Sequence, residues 1–299
     1  MLRSLYSGVS GMKNLQTKMD VVSNNIANVN TIGFKSSRVL FQDMMSQTTS
    51  NATAPGNGSG GVNGTQVGLG VQAGSIDMIN TVGAPQSTGR AMDFYISGQG
   101  YFMVQGSGES GETYYTRDGS FVRDSNGTLT NSDGMQVLGR PASTNPPTVY
   151  DDTYKEGTGI SDEGTIGPLE IPSTITDTDG KVLTYNSMAI DANGLVVAKY
   201  GDKSFVMGKV SIATFNNPEG LEKVGGNNYM QSSNSGAAIV AGAGQNGSGR
   251  LQAGALEMSN VDLSTEFTEM IIASRAYQAN SRSITTSDEM LQELLNLKR

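Results

Sequence analysis

The sequence predicts an α+β chain: a mainly β domain of short antiparallel strands with one helix at each terminus, the two helices pairing as a coiled-coil-like layer. Three observations predict it. Apolar residues recur in heptads at both ends. The middle alternates short β-branched or aromatic runs with Asn-Gly and Asp-Gly pairs. Across its 299 residues the chain carries 39 glycines and only 6% aromatic residues, a balance that fits turn-rich β-structure better than a compact α/β enzyme.

The N-terminal helix rests on Leu5, Met12, Leu15, Met19, Val22, Ile26 and Val29, which are spaced by 3 and 4 from Met12 onward. No proline interrupts this seam, and Gly33 offers a stop. Asn25 lies in the polar string Ser23–Asn30. Asparagine weakens an isolated helix, but within packed helices its amide fixes register, so Asn25 is read with the seam. At the far end Leu263, Met270, Tyr277, Ile284 and Leu291 recur every seven residues. Phe267 and Leu295 share a companion position with Ser274, Ser281 and Asp288, so one register is apolar and the other largely polar. Ser259-Asn260 or Ser264 is expected to cap this helix, and Lys298 and Arg299 suit its negative end. A single stripe of this kind is ordinarily a helix packed on its own domain. Two of them at opposite ends of a β-rich chain also fit a bundle formed between chains.

The sequence divides at 1–35 (first helix), 36–75 (connector), 76–253 (β domain) and 254–299 (second helix). The connector contains SQTTSNATAPGNGSGGVNGTQVGLG, with almost no charge and few large apolar groups, so it is expected to be a flexible linker or to order only against neighbours. In the β domain FYISG, GYFMVQ, ETYYTR, GSFVRD and MQVLG read as strands, and Asn126-Gly127, Asp133-Gly134, Asp179-Gly180 and Asn193-Gly194 as turns. A proline-rich segment at about 141–180 reads as an insertion.

The absences narrow function. The chain has no Cys, no His and no Trp. That removes thiolate nucleophiles, thiolate metal sites and any Ser-His-Asp triad; carboxylate, Lys or Tyr chemistry remains possible, so an enzyme is disfavoured and not excluded. A net charge of −8 supplies no field for phosphates, so no nucleic-acid partner is expected. Nor is a membrane span or a secretory leader: no run of about 18 apolar residues occurs, and Met1–Asn30 lacks a continuous apolar core. Two Gly-x-Gly-x-x-Gly matches, at 106–111 and 242–247, lack the strand–helix context that a nucleotide requires. Asp124–Gly127 and Asp177–Gly180 resemble the start of a calcium loop, but the twelfth positions are Met135 and Met188, so both read as turns. No enzyme activity, metal site or cofactor is expected.

Three long segments carry a resemblance. MLRSLYSGVSGMKNLQTKMDVVSNNIANVNTIGFK at the start is similar to the N-terminal signature of the flagellar rod and hook axial proteins. MDFYISGQGYFMVQ with YYTRDGSFVRDSNGTLTNSDGMQVLG resembles their β-domain motif, and GALEMSNVDLSTEFTEMIIASRAYQANSRSITTSDEMLQELLNLKR their C-terminal helix. The tail and QVGLGVQAGSID look more like the hook branch, with the distal rod branch second; the 141–180 insertion resembles neither.

The resemblance implies an inner layer of paired terminal helices beneath an outer β domain, in a helical homopolymer that in the hook transmits torque while bending. It implies export through the flagellar type III apparatus. It also implies rod proteins, hook–filament junction proteins and the hook cap as partners. The seam residues named above, from Leu5 to Leu295, would form the assembly interface. A surface carbohydrate-binding or adhesive β-protein is the alternative of another class, and it leaves the terminal heptads unexplained.

Overall fold

The computed structural model describes residues 2–56, 60–106, 111–143, 147–150, 154, 158–160, 165–177 and 180–297, without the side chain of Leu2. They fall into two compact units: the described residues within 2–29, 36–79 and 261–297 form the first, and those within 30–35 and 80–260 the second.

In the first unit, helix α1 (Leu2–Ala27) lies antiparallel to helix α2 (Leu263–Leu297), with Ser4 beside Ser287 at one end and Lys18 paired with Glu269 towards the other. The seam was expected to run on to Val29 with a stop at Gly33. Instead α1 ends at Ala27, because the Asn28 amide nitrogen donates to the Asn24 carbonyl at 2.8 Å and the Asn28 N–H is shared by the carbonyls of Asn24 and Asn25. At α2 the cap is Asp262 and none of the serines expected. Its carboxylate accepts from the Ser264 N–H at 2.9 Å and the Thr265 hydroxyl at 3.0 Å. Lys298 and Arg299 lie outside the described residues.

The 36–75 connector differs from its expected linker character. β1 (Ser37–Asp43) and β4 (Val71–Met78) form an antiparallel ribbon, continued by β2 (Gln47–Ser50) paired with β3 (Thr65–Val67) and by a bridge between Thr53 and Val62. Composition misled because ribbon hydrogen bonds need no large side chains. The anchoring comes from α1. The Asn14 amide donates to the Val71 carbonyl at 2.7 Å and its oxygen accepts from the Ala73 N–H at 3.0 Å. The tie falls midway along the ribbon, where Val71 pairs with Asp43 and Ala73 with Phe41; β2 and β3 beyond it are exposed throughout.

The second unit is an antiparallel β domain. Its main sheet runs in the order Thr174–Thr176, Val182–Ile190, Leu195–Tyr200, Lys203–Thr214, Gln136–Pro141, Tyr101–Gln105, Thr113–Thr116, Asn228–Met230, Glu222–Gly225. Phe94, Phe102, Phe121, Leu129, Val137, Tyr200, Phe205 and Ile212 fill the core, and Phe102 meets Phe121 edge to face at 5.1 Å between centroids. The expected turns at Gly127, Gly134 and Gly194 all have positive φ. At Gly127 a Cβ would also fall 2.3 Å from the Ile171 carbonyl oxygen, so the turn is closed against the chain beside it. Asp179, the middle of the 106–111 glycine motif and much of 141–180 lie outside the described residues. The 242–247 motif follows the strand Ile239–Gly242 into a turn, with no helix after it.

The domain boundaries also shift. Residues 30–35 belong with the β domain, and so do residues 254–260. Ala255–Glu257 pairs with Pro85–Ser87, and Arg250–Ala253 with Phe94–Ser97, so the last strands of the domain are held by its first.

Candidate assembly interface

The α1–α2 contact is built on small residues. A Cβ on Gly11 would lie 2.7 Å from Asn280 Nδ2, and one on Gly8 would lie 3.1 Å from Ile284 Cγ1. Ala273 and Ser287 are buried on α2. With no side chain on Gly8 or Gly11, the helix backbones approach closely, and larger neighbours fill the flanks.

Among the residues expected at the interface, Val22 and Asn25 are buried, and Leu5, Met12, Leu15, Met19, Ile26 and Val29 are half-buried. On α2, Met270, Ile284 and Leu291 are half-buried, while Leu263, Phe267, Tyr277 and Leu295 are exposed in the single chain. The companion line facing α1 is Glu266, Ala273, Asn280 and Ser287 instead of Phe267, Ser274, Ser281, Asp288 and Leu295, which is a rotation of one residue. A search for large apolar residues overlooks a line of small and polar ones. One signal was present: the gap between Leu5 and Met12 has Gly8 in the missing slot of the 3-and-4 pattern.

Polar side chains fix the register. The buried Asn25 amide donates to the Ser37 carbonyl at 2.8 Å and to Glu266 Oε1 at 3.0 Å, while its oxygen accepts from the Ser37 N–H at 3.0 Å. One side chain thus joins α1, α2 and the chain entering β1. Burial pushes the Glu266 carboxyl above the usual carboxylate range, and the bond from Asn25 pulls it back in part. Around this framework lie exposed apolar side chains that one chain does not cover: Ile271 and Ile272 on α2, and Phe41, Met45 and Ile76 on the ribbon.

The β domain holds a second polar construction. Lys35 Nζ contacts Glu257 Oε1 at 2.6 Å and donates to the Thr81 carbonyl at 2.6 Å. Arg117 Nη1 contacts Glu257 Oε2 at 2.9 Å, and its Nη2 donates to the Gly98 carbonyl at 2.9 Å. The Gly83 N–H also donates to Glu257 Oε1 at 2.9 Å, so the carboxylate is surrounded by donors. Burial pushes the Lys35 amine below its usual range, with the Glu257 carboxylate opposing, and burial raises the Tyr101 phenol beneath Arg117 to about 12. Together with the bond from the Gly33 N–H to the Glu257 carbonyl at 2.8 Å, these contacts fix the segments by which the chain enters and leaves the domain.

Three family profiles match in chain order: the flagella basal body rod protein profile over residues 5–35, the flagellar hook protein FlgE/F/G D1 domain over 95–198, and the flagellar basal body rod FlgEFG protein C-terminal profile over 252–297. The flagellar basal-body rod protein FlgG of Bacillus subtilis is 48% identical over 301 residues, covering all of both chains. The chain belongs to the flagellar FlgE/F/G rod and hook family. The flagellar hook protein FlgE of Borreliella burgdorferi is 33% identical over 444 aligned residues, again covering all of both, and the FlgG of Caulobacter vibrioides is 35% identical over 301 residues, covering 99% of this chain and all of that one. FlgE/F/G membership makes this a structural flagellar protein. The N-terminal profile covers α1 from Leu5 and runs on through Lys35, and the C-terminal profile takes in Glu257 and all of α2. Among the described residues, no helix is long and apolar enough to cross a membrane.

Proposed function

We propose that this FlgE/F/G-family chain is a subunit of the flagellar rod, polymerising with copies of itself into a helical tube whose inner layer is the α1–α2 pair and whose outer layer is the β domain. The observation that carries the rod assignment is length together with identity: the match to a rod protein runs end to end over 301 residues at 48%, whereas the hook proteins align over 444 and 466 residues at 33% and 32%. The hook, which the tail and QVGLGVQAGSID resemble more, is the second reading, supported by the full coverage of two hook proteins. Exposed apolar side chains on α2 and the ribbon support self-assembly, because contacts of a heterologous kind bury them and generate a filament. Neighbouring axial proteins, the hook cap and the type III export apparatus are the partners such a role carries with it. Its function is then mechanical, with no catalytic step. Electron microscopy of polymers grown from the purified chain tests the assignment. Straight tubes are expected; curved, flexible tubes would assign the chain to the hook, and a chain that stays monomeric at high concentration would overturn both readings.

A further inference from the structure

The face of α1 turned away from α2 carries a groove of about 400 Å³, lined by Tyr6, Val9, Met44 and Leu69 between Arg3 and Lys13. Tyr6 is 72% exposed, unusual for a side chain of that size. Arg3 and Lys13 are ten residues apart, about 15 Å along a helix.

The end of α2 carries a second apolar feature. Met290, Leu294 and Leu297 follow one another at spacings of 4 and 3 and form an exposed stripe beside the line that meets α1. Glu289 and Glu293 border its outer side. Among the described residues, none of Arg3, Lys13, Glu289 and Glu293 forms an ion pair. The groove is thus apolar with basic ends, and the stripe is apolar with an acidic border. Within one chain the two do not meet, because α2 occupies the other side of α1, where Gly8 faces Ile284. A second copy brings them together.

We propose that the groove of one copy seats the Met290–Leu297 end of α2 from a second copy, with Glu289 and Glu293 directed toward Arg3 and Lys13. This rests on the self-assembly reading above. Each copy offers one groove and one stripe on different faces, so the contact is heterologous and propagates from copy to copy. The apolar stripe supplies the burial, and the charges set its direction.

The chain contains no cysteine, so single thiols can be placed without background. Tyr6→Cys and Leu294→Cys chains are mixed, polymerised and oxidised. A covalent product of twice the chain mass is expected from the mixture and not from either variant alone. Polymers that form without this product would overturn the contact while leaving self-assembly intact, and an unmodified chain that never polymerises would overturn both. Should Tyr6→Cys prevent polymerisation, charge reversal decides. Lys13→Glu and Glu293→Lys are each expected to raise the critical concentration about fivefold, and the double variant to restore it. A double variant as poor as the singles would overturn the proposal.

Discussion

Lys35 Nζ and Glu257 Oε1 meet at 2.6 Å although 222 residues separate them in sequence, and both side chains are almost wholly buried. Glu257 also holds Arg117, so one carboxylate answers two cations inside the β domain. Such a cluster adds little net stability over an apolar replacement, but removing one member leaves uncompensated charge in the interior. Its value here is positional: it binds the segment before Ser36 to the segment after Leu256.

Glu257→Ala is therefore expected to destabilise the β domain by about 3–5 kcal/mol. Urea unfolding followed by tyrosine fluorescence measures this, because the chain has 11 Tyr and no Trp. A loss below about 1 kcal/mol would mean that water or rearranged neighbours replace the carboxylate.

Glu266 gives the helix pair a pH dependence. Its carboxyl is raised in the folded state, chiefly by burial, from an ordinary value of 4.5. Between that value and the folded one, the folded chain holds more protons than the unfolded chain. Stability of the pair therefore falls as pH rises through this window and is recovered on acidification. Helix melting followed by circular dichroism should shift to higher temperature as pH is lowered from neutral toward 4.5. In Glu266→Gln that part of the shift should vanish, since the amide oxygen still accepts from Asn25 and no longer titrates. An unchanged pH profile in the variant would assign the dependence to other groups.

Gly11 tests how close the helices must be. A Cβ there already approaches Asn280 Nδ2 to 2.7 Å, and leucine would add three more carbons in the same direction. Gly11→Leu improves intrinsic helix propensity by about 1 kcal/mol. Overpacking costs about 1–3 kcal/mol and should win. The expected outcome is a weaker helix pair and poorer assembly with an unaffected β domain. Improved assembly in Gly11→Leu would show that the contact has room to spare.

These positions show what could be read in the sequence. Period alone located both helices and most of the α1 seam, because large apolar residues at 3 and 4 spacing have one physical use. Asn25 was found because a polar residue among apolar ones demands a partner, though the β1 backbone as that partner was not foreseen. Gly8, Gly11 and Ala273 were missed because closeness, which makes a small residue valuable, is a property of two chain segments together. The ribbon was missed because backbone pairing leaves little trace in side-chain composition. Lys35, Arg117 and Glu257 were out of reach because they lie far apart in sequence: Arg117 stands beside Asp118, Lys35 and Glu257 have no opposite charge within four residues, and only the fold unites the three.

The remaining prediction concerns when the helices become ordered. In one chain α2 lies against a single helix, and its buried positions are only Ala273 and Ser287. Small side chains permit close contact but bury little apolar area, so the stabilisation from this pair is modest. Isolated helices are marginal in water, and α1 carries Asn24 and Asn25 in its last turn, each a helix-weakening residue. We therefore expect both helices to fray in the dilute monomer and to order on polymerisation, when neighbouring copies cover Phe267, Ile271 and Leu295. Hydrogen exchange on monomer and polymer measures this directly. Amides of residues 5–27 and 263–295 should gain protection on assembly, while those in the core strands around Phe102 and Ile212 should be equally protected in both. Leu15→Asp and Met270→Asp should each abolish polymerisation, because each places a charge in the packed layer, and each should leave the β domain folded. Full protection of the helices already present in the monomer would show that the pair is self-sufficient. Assembly would then join preformed surfaces, and its dependence on Leu15 and Met270 would have to come from direct contact between copies.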